Sequence, residues 1–347
     1  MAINPAIGLV GAAVQTNRDT PAAQPTFLHG LTGGSPFSAS RSIANTPVAC
    51  GNRGPSDARV ESVEISPSIE TLCYPDAFGL YLYSALGAVE STPVEGHEGY
   101  YKHVFTMGSV LPYLTLWSQV GVDNFTEADG CKCSELQISA TGNEHLALTA
   151  NFSGINAKVG IDAIPGQLTP SCYDGKYTTT DCTLKLDTAS ETPADALVSE
   201  ASFTITNGTT ALSSLGRVMP RDIADGNLSA GVSVTTIPDD ITEYKKMVTG
   251  SASETEITGK VVLGSVYAKF LHTEDENMTL EIEYNHVPFT ADYPTVEPDG
   301  SESTIQFTCD AAIIKAANES PVKITLVNKV QSYTNVETMA ARAKSGK

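Results

Sequence analysis

Positive charge is what this chain has least of. Forty acidic residues face only 21 lysines and arginines, for a formal net charge of −19 over 347 residues. So acidic a chain repels a phosphate backbone, which argues against ordinary nucleic-acid binding. Charged residues of both signs reach only 18%, below the usual share of about 25%. Long apolar runs are missing too: no window approaches the roughly 18 residues of a membrane span. Ala6–Val14 is apolar, but Pro5 precedes it and no lysine or arginine does, so it makes a poor signal peptide. The chain is therefore expected to be cytoplasmic when made, with no membrane partner. The Asn-x-Ser/Thr triplets at Asn124, Asn151 and Asn207 are then chance matches.

Catalytic signatures are equally scarce. There is no Gly-x-Gly-x-x-Gly, no Walker loop, no His-Glu-x-x-His and no Gly-x-Ser-x-Gly. The six histidines, His29, His97, His103, His145, His272 and His286, are dispersed, and His97 with His103 reads as a surface pair near a turn. Thr273–Asn277 gathers three carboxylates between two strand patterns, which suits a solvated hairpin turn better than a cation site. Seven scattered cysteines fit small buried apolar residues in a reducing compartment. Cys172 and Cys182 bracket a polar loop and are the best disulfide candidates, a question that sequence leaves open. Cys131 and Cys133 share one face of a strand, with no second pair at zinc spacing. No catalytic, cofactor-binding or metal-binding residue is assigned, and the chain is not read as an enzyme.

What is present begins with Ile69–Gly87. A strand-like run ends at Tyr74, Pro75 sets φ for a first helical turn, and Asp76 lies beside the positive end of the helix dipole. Gly87 stands where a left-handed C-cap belongs. Not one charge falls between Asp76 and Glu90. A helix that is apolar all round must be covered on more than one side. Burial against sheets, neighbouring subunits or both is the expectation, and with it the role of an assembly subunit.

Elsewhere the period is two. Tyr100–Met107, Leu111–Val120 with the only tryptophan, Trp117, and Lys158–Ile164 read as strands. Cys131–Ala140 and His145–Ser153 flank Thr141-Gly142-Asn143 as a hairpin. Ala201–Thr206, Gly231–Thr236, Val261–Leu271, Met278–Tyr284, Ser303–Ile314 and Val322–Val330 complete the β set, and Asp240–Val248 reads as a short second helix capped by Asp239 or Asp240. Residues 1–59 are rich in Gly, Pro, Ser, Ala and Thr and are expected to form an extended arm and loop region, with turn chemistry at Thr32–Phe37 and Cys50–Pro55. Residues 60–335 form the β domain, with a polar loop insertion at about 165–193, and residues 336–347 a flexible tail. The fold class is mainly β: antiparallel sheets, a short helix, an extended N-terminal arm and long loops.

Charge is segregated along the chain. Asp239–Glu302 is heavily acidic, whereas Ser303–Lys347 carries Lys315, Lys323, Lys329, Arg342, Lys344 and Lys347. Either these are two solvated faces, or opposite-sign surfaces of identical copies meet head to tail.

Taken in order, Thr26–Ser35, the Asn52-Arg-Gly54 turn, Ser66–Gly87, Tyr101–Thr106, Leu111–Thr115, Gly130–Leu136, the hairpin at His145–Gly154 and Pro321–Asn328 resemble the tail tube (major tail) proteins of long-tailed, siphovirus-type bacteriophages. The likeness spans about Ala6 to Val330, and it rests on order and spacing rather than on any catalytic motif. It implies two packed antiparallel sheets, a sandwich or barrel-like body with a flanking helix. It implies hexameric rings stacking into a tube through which DNA is ejected into the bacterial host without specific binding. The other partners it implies are tape measure, tail terminator and distal tail or baseplate proteins. The location it implies is the virion tail, assembled in the host cytoplasm. An acidic lumen would then repel the passing genome. A phage decoration or fibre protein, or a carbohydrate-binding β-sandwich using Tyr173 and Tyr177 as a platform, is the alternative; a glycan hydrolase with paired carboxylates is a third reading.

Overall fold

The computed structural model describes residue 4 and residues 6–46, 57–294, 303–317 and 319–334. The expected tail at 336–347 and the turn at Cys50–Pro55 lie outside these described residues. The chain opens with β1 (Gly8–Val14), β2 (Phe27–Gly30), β3 (Ala39–Thr46), β4 (Asp57–Ile65) and β5 (Ser68–Leu72), then helix α1 (Pro75–Leu86). Next come β6 (Gly87–Pro93), β7 (Tyr101–Met107), β8 (Leu114–Val120), β9 (Phe125–Thr141), β10 (Ala147–Ser153), β11 (Asn156–Ile161) and β12 (Tyr177–Asp187). β13 (Ala194–Asp195), β14 (Val198–Asn207), β15 (Thr210–Leu212), β16 (Asp222–Ala224) and β17 (Leu228–Thr236) precede helix α2 (Thr242–Thr249). β18 (Gly264–His272), β19 (Thr279–Val287), β20 (Ile305–Cys309) and β21 (Val322–Asn328) follow.

Alternation of apolar and polar residues gathers most of these strands into two packed antiparallel sheets, with β3–β4 and β15–β16 as separate two-stranded ribbons. The larger runs β2-β1-β8-β9-β14-β17-β20, and the smaller β13-β12-β18-β19-β21-β7-β6. Strand β9, at 17 residues, serves two neighbourhoods: its first half pairs with β8 and β11, its second with β10 and β14. Apolar side chains from both inner faces meet in one core, where the Phe203 ring of β14 lies 5.9 Å from the Tyr284 ring of β19. Among the described residues neither sheet closes on itself as a barrel.

Helix α1 forms as its sequence requires. Pro75 occupies the first turn with Asp76 beside it, and Gly87 ends the helix at φ 82, where its N–H reaches the Tyr83 carbonyl. Ten of its twelve residues are buried, each large side chain contributing about 1.5–3 kcal/mol. The cover comes from the chain itself: α1 touches β2, β9 and β14 of the larger sheet and β6, β7 and β21 of the smaller. Of the covers that the sequence left open, sheets or neighbouring subunits, the chain's own sheets supply the one seen here. The helix fills the space between the sheets of one copy and needs no neighbour.

Three further stretches depart from expectation. Within residues 1–59, β1 and β2 belong to the larger sheet, β1 lying buried between β2 and β8. The β3–β4 ribbon pairs with neither large sheet, and most of its described side chains are exposed. Inside 165–193, β12 is a strand of the smaller sheet rather than loop, and a register shift between Thr178 and Thr183 breaks its alternation. Three of the C-terminal cations are paired, Lys315 with Glu191, Lys323 with Glu283 and Lys329 with Asp275, while Arg342, Lys344 and Lys347 lie outside the described residues. Glu283 and Asp275 belong to the acidic stretch itself, so part of the segregated charge is paired within one subunit.

Candidate functional site

The outward face of the larger sheet extends across β5, β10, β9, β14, β17 and β20. Register sets Ser202 against Ser139 and Ser233, Thr204 against Gln137, and Ser233 against Thr308. Side chains bridge the strands: the Gln137 amide donates to Ser202 Oγ at 2.9 Å, Gln306 to Ser233 Oγ at 3.0 Å, and Ser68 Oγ to Asn151 Oδ1 at 2.7 Å. The only formal charges among the outward groups are Glu70, Glu135 and Glu200. No lysine or arginine occurs in β5, β10, β14, β17 or β20, or in β9 from Glu135 onward. The outward face of the smaller sheet is different, a mosaic of cross-strand pairs: Lys269–Glu281 at 3.0 Å, Lys323–Glu283 at 3.0 Å and Lys185–Asp195 at 3.3 Å.

The two ends of the strands also differ. At one end the β15–β16 hairpin exposes Leu212, Leu215, Val218, Arg217 and Arg221, with Leu215 fully in solvent. Its base is anchored. Tyr113 donates to Asp222 at 2.6 Å, Arg18 reaches Asp222 at 3.3 Å, and the Val63 N–H of the ribbon donates to the Val218 carbonyl at 2.8 Å. Burial opposes ionisation of Asp222, but the bonds from Tyr113, the Ile223 N–H and Arg18 outweigh it and hold the carboxyl below its ordinary range. The ribbon is mixed in charge, Arg41 and Arg59 standing among Asp57, Glu61 and Glu64.

At the other end lie α2 and its flanks. None of the residues of α2 is buried. Asp240 Oδ1 accepts from the Thr242 N–H at 2.7 Å, and Gly250 closes the helix at φ 85. Polar contacts help to dock it, Thr188 Oγ1 donating to the Glu243 carbonyl at 2.6 Å and Lys246 bridging Glu243 and Asp187, while Tyr244 and Met247 pack against the core. Around it Ile241, Ile257, Val261 and Leu197 are exposed beside Asp239, Asp240, Glu254 and Glu256.

A buried polar cluster links the chain's final described residues to α1. His103 is fully buried, with Ser91 Oγ at 2.8 Å on one ring nitrogen and Asn328 Oδ1 at 3.1 Å on the other. The Asn328 amide donates to Tyr333 Oη at 2.6 Å and to the Pro75 carbonyl at 2.7 Å, and the Tyr333 hydroxyl donates to the Asp76 carbonyl at 2.8 Å. The Tyr333 ring lies directly on Gly79: a Cβ there would meet ring atoms at 2.2 Å. The sequence offered a signal for this contact, a glycine in mid-helix where alanine is preferred by about 1 kcal/mol, but no indication of which ring it admits. His97 is exposed while His103 is not, so the two are not a surface pair.

Other sequence candidates resolve as follows. Cys172 and Cys182 are free thiols. Tyr177 is fully buried and offers no platform to a glycan. Asp275 accepts from Tyr100 at 2.6 Å and pairs with Lys329 at 3.0 Å, which holds its carboxyl well below the usual range and ties the acidic turn to the body. It borders a cavity of about 320 Å³ lined also by Tyr74, Asp174, His272, Glu274 and Lys329. Among the described residues no three His, Cys, Asp or Glu side chains gather as a metal group, and no helix is long and apolar enough to cross a membrane.

No curated protein matches the chain. A family model described as phage tail tube protein matches residues 6–320. The match runs from just before β1 to just before β21 and so takes in most of both sheets, α1 and both strand ends. The chain therefore belongs to the phage tail tube protein family, a structural component of the virion tail.

Proposed function

We propose that six copies close into a ring, that rings stack into the tail tube of a siphovirus-type phage, and that the tube conducts the genome during ejection. One observation carries the conduit: the outward face of the larger sheet is broad, rich in hydroxyls and amides, and free of cations across six strands. A wall of this kind offers no ladder of phosphate contacts to a sliding duplex, and its glutamates repel one. Hydroxyl and amide groups bonded across the strands keep that wall wetted and smooth. The mosaic of ion pairs on the smaller sheet suits the tube's exterior.

Open sheet edges support the ring. Continuing a sheet into the next copy pairs strands that would otherwise invite aggregation. The division of labour then has three parts. The β body forms the ring. The β3–β4 ribbon, which is what remains of the expected arm, contacts neighbouring copies, and the tail at 336–347 is accessory. Tape measure, tail terminator and distal tail or baseplate proteins meet the lumen and ends, and assembly takes place in the host cytoplasm.

Negative-stain microscopy of the purified protein at high concentration tests this reading. Stacked rings or hollow tubes are the expected result. Compact monomers that bind a glycan would instead favour the decoration or carbohydrate-binding alternative.

A further inference from the structure

The opposite character of the two strand ends points to a specific contact. Strand β14 runs from Val198, opposite Thr236, to Asn207, opposite Leu228, so the β15–β16 hairpin and the α2 region stand about 30 Å apart at about 3.3 Å per residue. From 208 to 221 the only charged residues are Arg217 and Arg221. Both are exposed and neither makes a salt bridge among the described residues, although Arg217, after Arg18, helps to hold the Asp19 carboxyl below its ordinary range. They flank Leu212, Leu215 and Val218, all exposed, Leu215 fully and the other two by a little under half. The far end has the reverse charge. Asp239, Asp240, Glu254 and Glu256 outnumber its one exposed lysine, Lys260, and frame Ile241, Ile257 and Val261. Lys245 and Lys246 there are already engaged, with the Ala252 carbonyl and with Asp187 and Glu243.

We propose that the β15–β16 hairpin of one copy seats on the α2 flank, residues 237–241 and 250–261, of a second copy in the next ring. The inference rests on the tube reading and names its stacking contact. Apolar side chains exposed on one end would be covered by those on the other, with arginines meeting carboxylates at the rim. Because the two patches differ, the contact is heterologous: each new copy presents the same free hairpin again, so addition has no natural end. A tube grows this way, whereas a self-complementary patch would stop at a dimer.

Two charge-reversed variants test it. Arg217→Glu with Arg221→Glu leaves both ends acidic, and Glu254→Lys with Glu256→Lys makes the second end basic like the first. Each alone should raise the concentration needed for tube growth at least tenfold, and their mixture should restore growth by alternating the two, which also shows that both are folded. Leu215→Ser, at a position fully in solvent, should raise that concentration while leaving the subunit's melting temperature unchanged. Growth of either reversed variant alone at the wild-type concentration would overturn the contact, as would a mixture no better than its parts. If the wild-type protein itself builds no tubes, the tube reading fails, and the stacking contact with it.

Discussion

Replacing Gly79 by alanine separates this structure from what sequence rules alone would say. In an isolated helix the change is favourable by about 1 kcal/mol. Here the new Cβ would lie 2.2 Å from Tyr333 Cζ and 2.5 Å from its hydroxyl, so the ring must leave. Losing a buried aromatic ring costs about 3–5 kcal/mol. The Asn328 amide, which donates to Tyr333 Oη at 2.6 Å, also loses a partner, worth about 1 kcal/mol. The net expectation for Gly79→Ala is a destabilisation of about 3–5 kcal/mol, opposite in sign to the propensity rule. Urea denaturation of the isolated subunit, followed by tryptophan fluorescence, measures it. The double-mutant cycle is sharper: in a Tyr333→Ala background the clash is gone, and Gly79→Ala should become stabilising by about 1 kcal/mol. A stabilising Gly79→Ala in the wild-type background, or an effect that keeps its sign in the cycle, would refute the reasoning.

Three further outcomes follow from the same structure. His29 is fully buried between the Gly30 carbonyl and Tyr81 Oη, and burial lowers its pKa to about 4. The unfolded chain therefore binds the extra proton first, and stability falls as pH drops from about 6.5 to about 4, by about 3 kcal/mol from this group; His29→Gln should flatten that acid limb in a pH series of urea melts, and an unchanged limb would contradict the assignment. Tyr284 buries its hydroxyl without a hydrogen-bond partner among the described residues, so Tyr284→Phe should be neutral or stabilising by about 1 kcal/mol in thermal melts; a clear loss would show that the hydroxyl has a role. Ser202→Lys with Ser233→Lys places facing cations on the hydroxyl-rich sheet face; tubes should still form, and DNA ejection should slow at least tenfold as phosphate contacts accumulate around each ring, whereas an unchanged ejection rate would argue against that face as the channel wall.

Local chemistry was legible where it is short in range. Pro75, Asp76 and Gly87 fixed the limits of α1, and the turn before His145 shows as a glycine and a left-handed Asn143 at φ 62. What the apolar helix could not reveal is what covers it, because its pattern is the same whether its own sheets or a neighbour's do so. Strand β1 escaped notice because Gly, Ala and Val alternate with no polar partner; Gly11 is needed there since a Cβ would meet Pro25 at 2.8 Å. Strand β12 was hidden by its threonines and its bulge. Pairing of the C-terminal lysines depends on register, with Lys323 directly opposite Glu283, and register is a long-range property. The cation-free sheet face likewise draws on strands spread from Ser68 to Cys309, so no window of sequence contains it.

A helical reconstruction of the virion tail tests the central claim most directly. The account predicts rings of this chain with Ser202, Thr204 and Ser233 turned toward the axis and the Lys269–Glu281 and Lys323–Glu283 pairs on the outside. A tube with those lysine-bearing strands lining the channel, or a tail in which this chain forms no continuous wall, would contradict it.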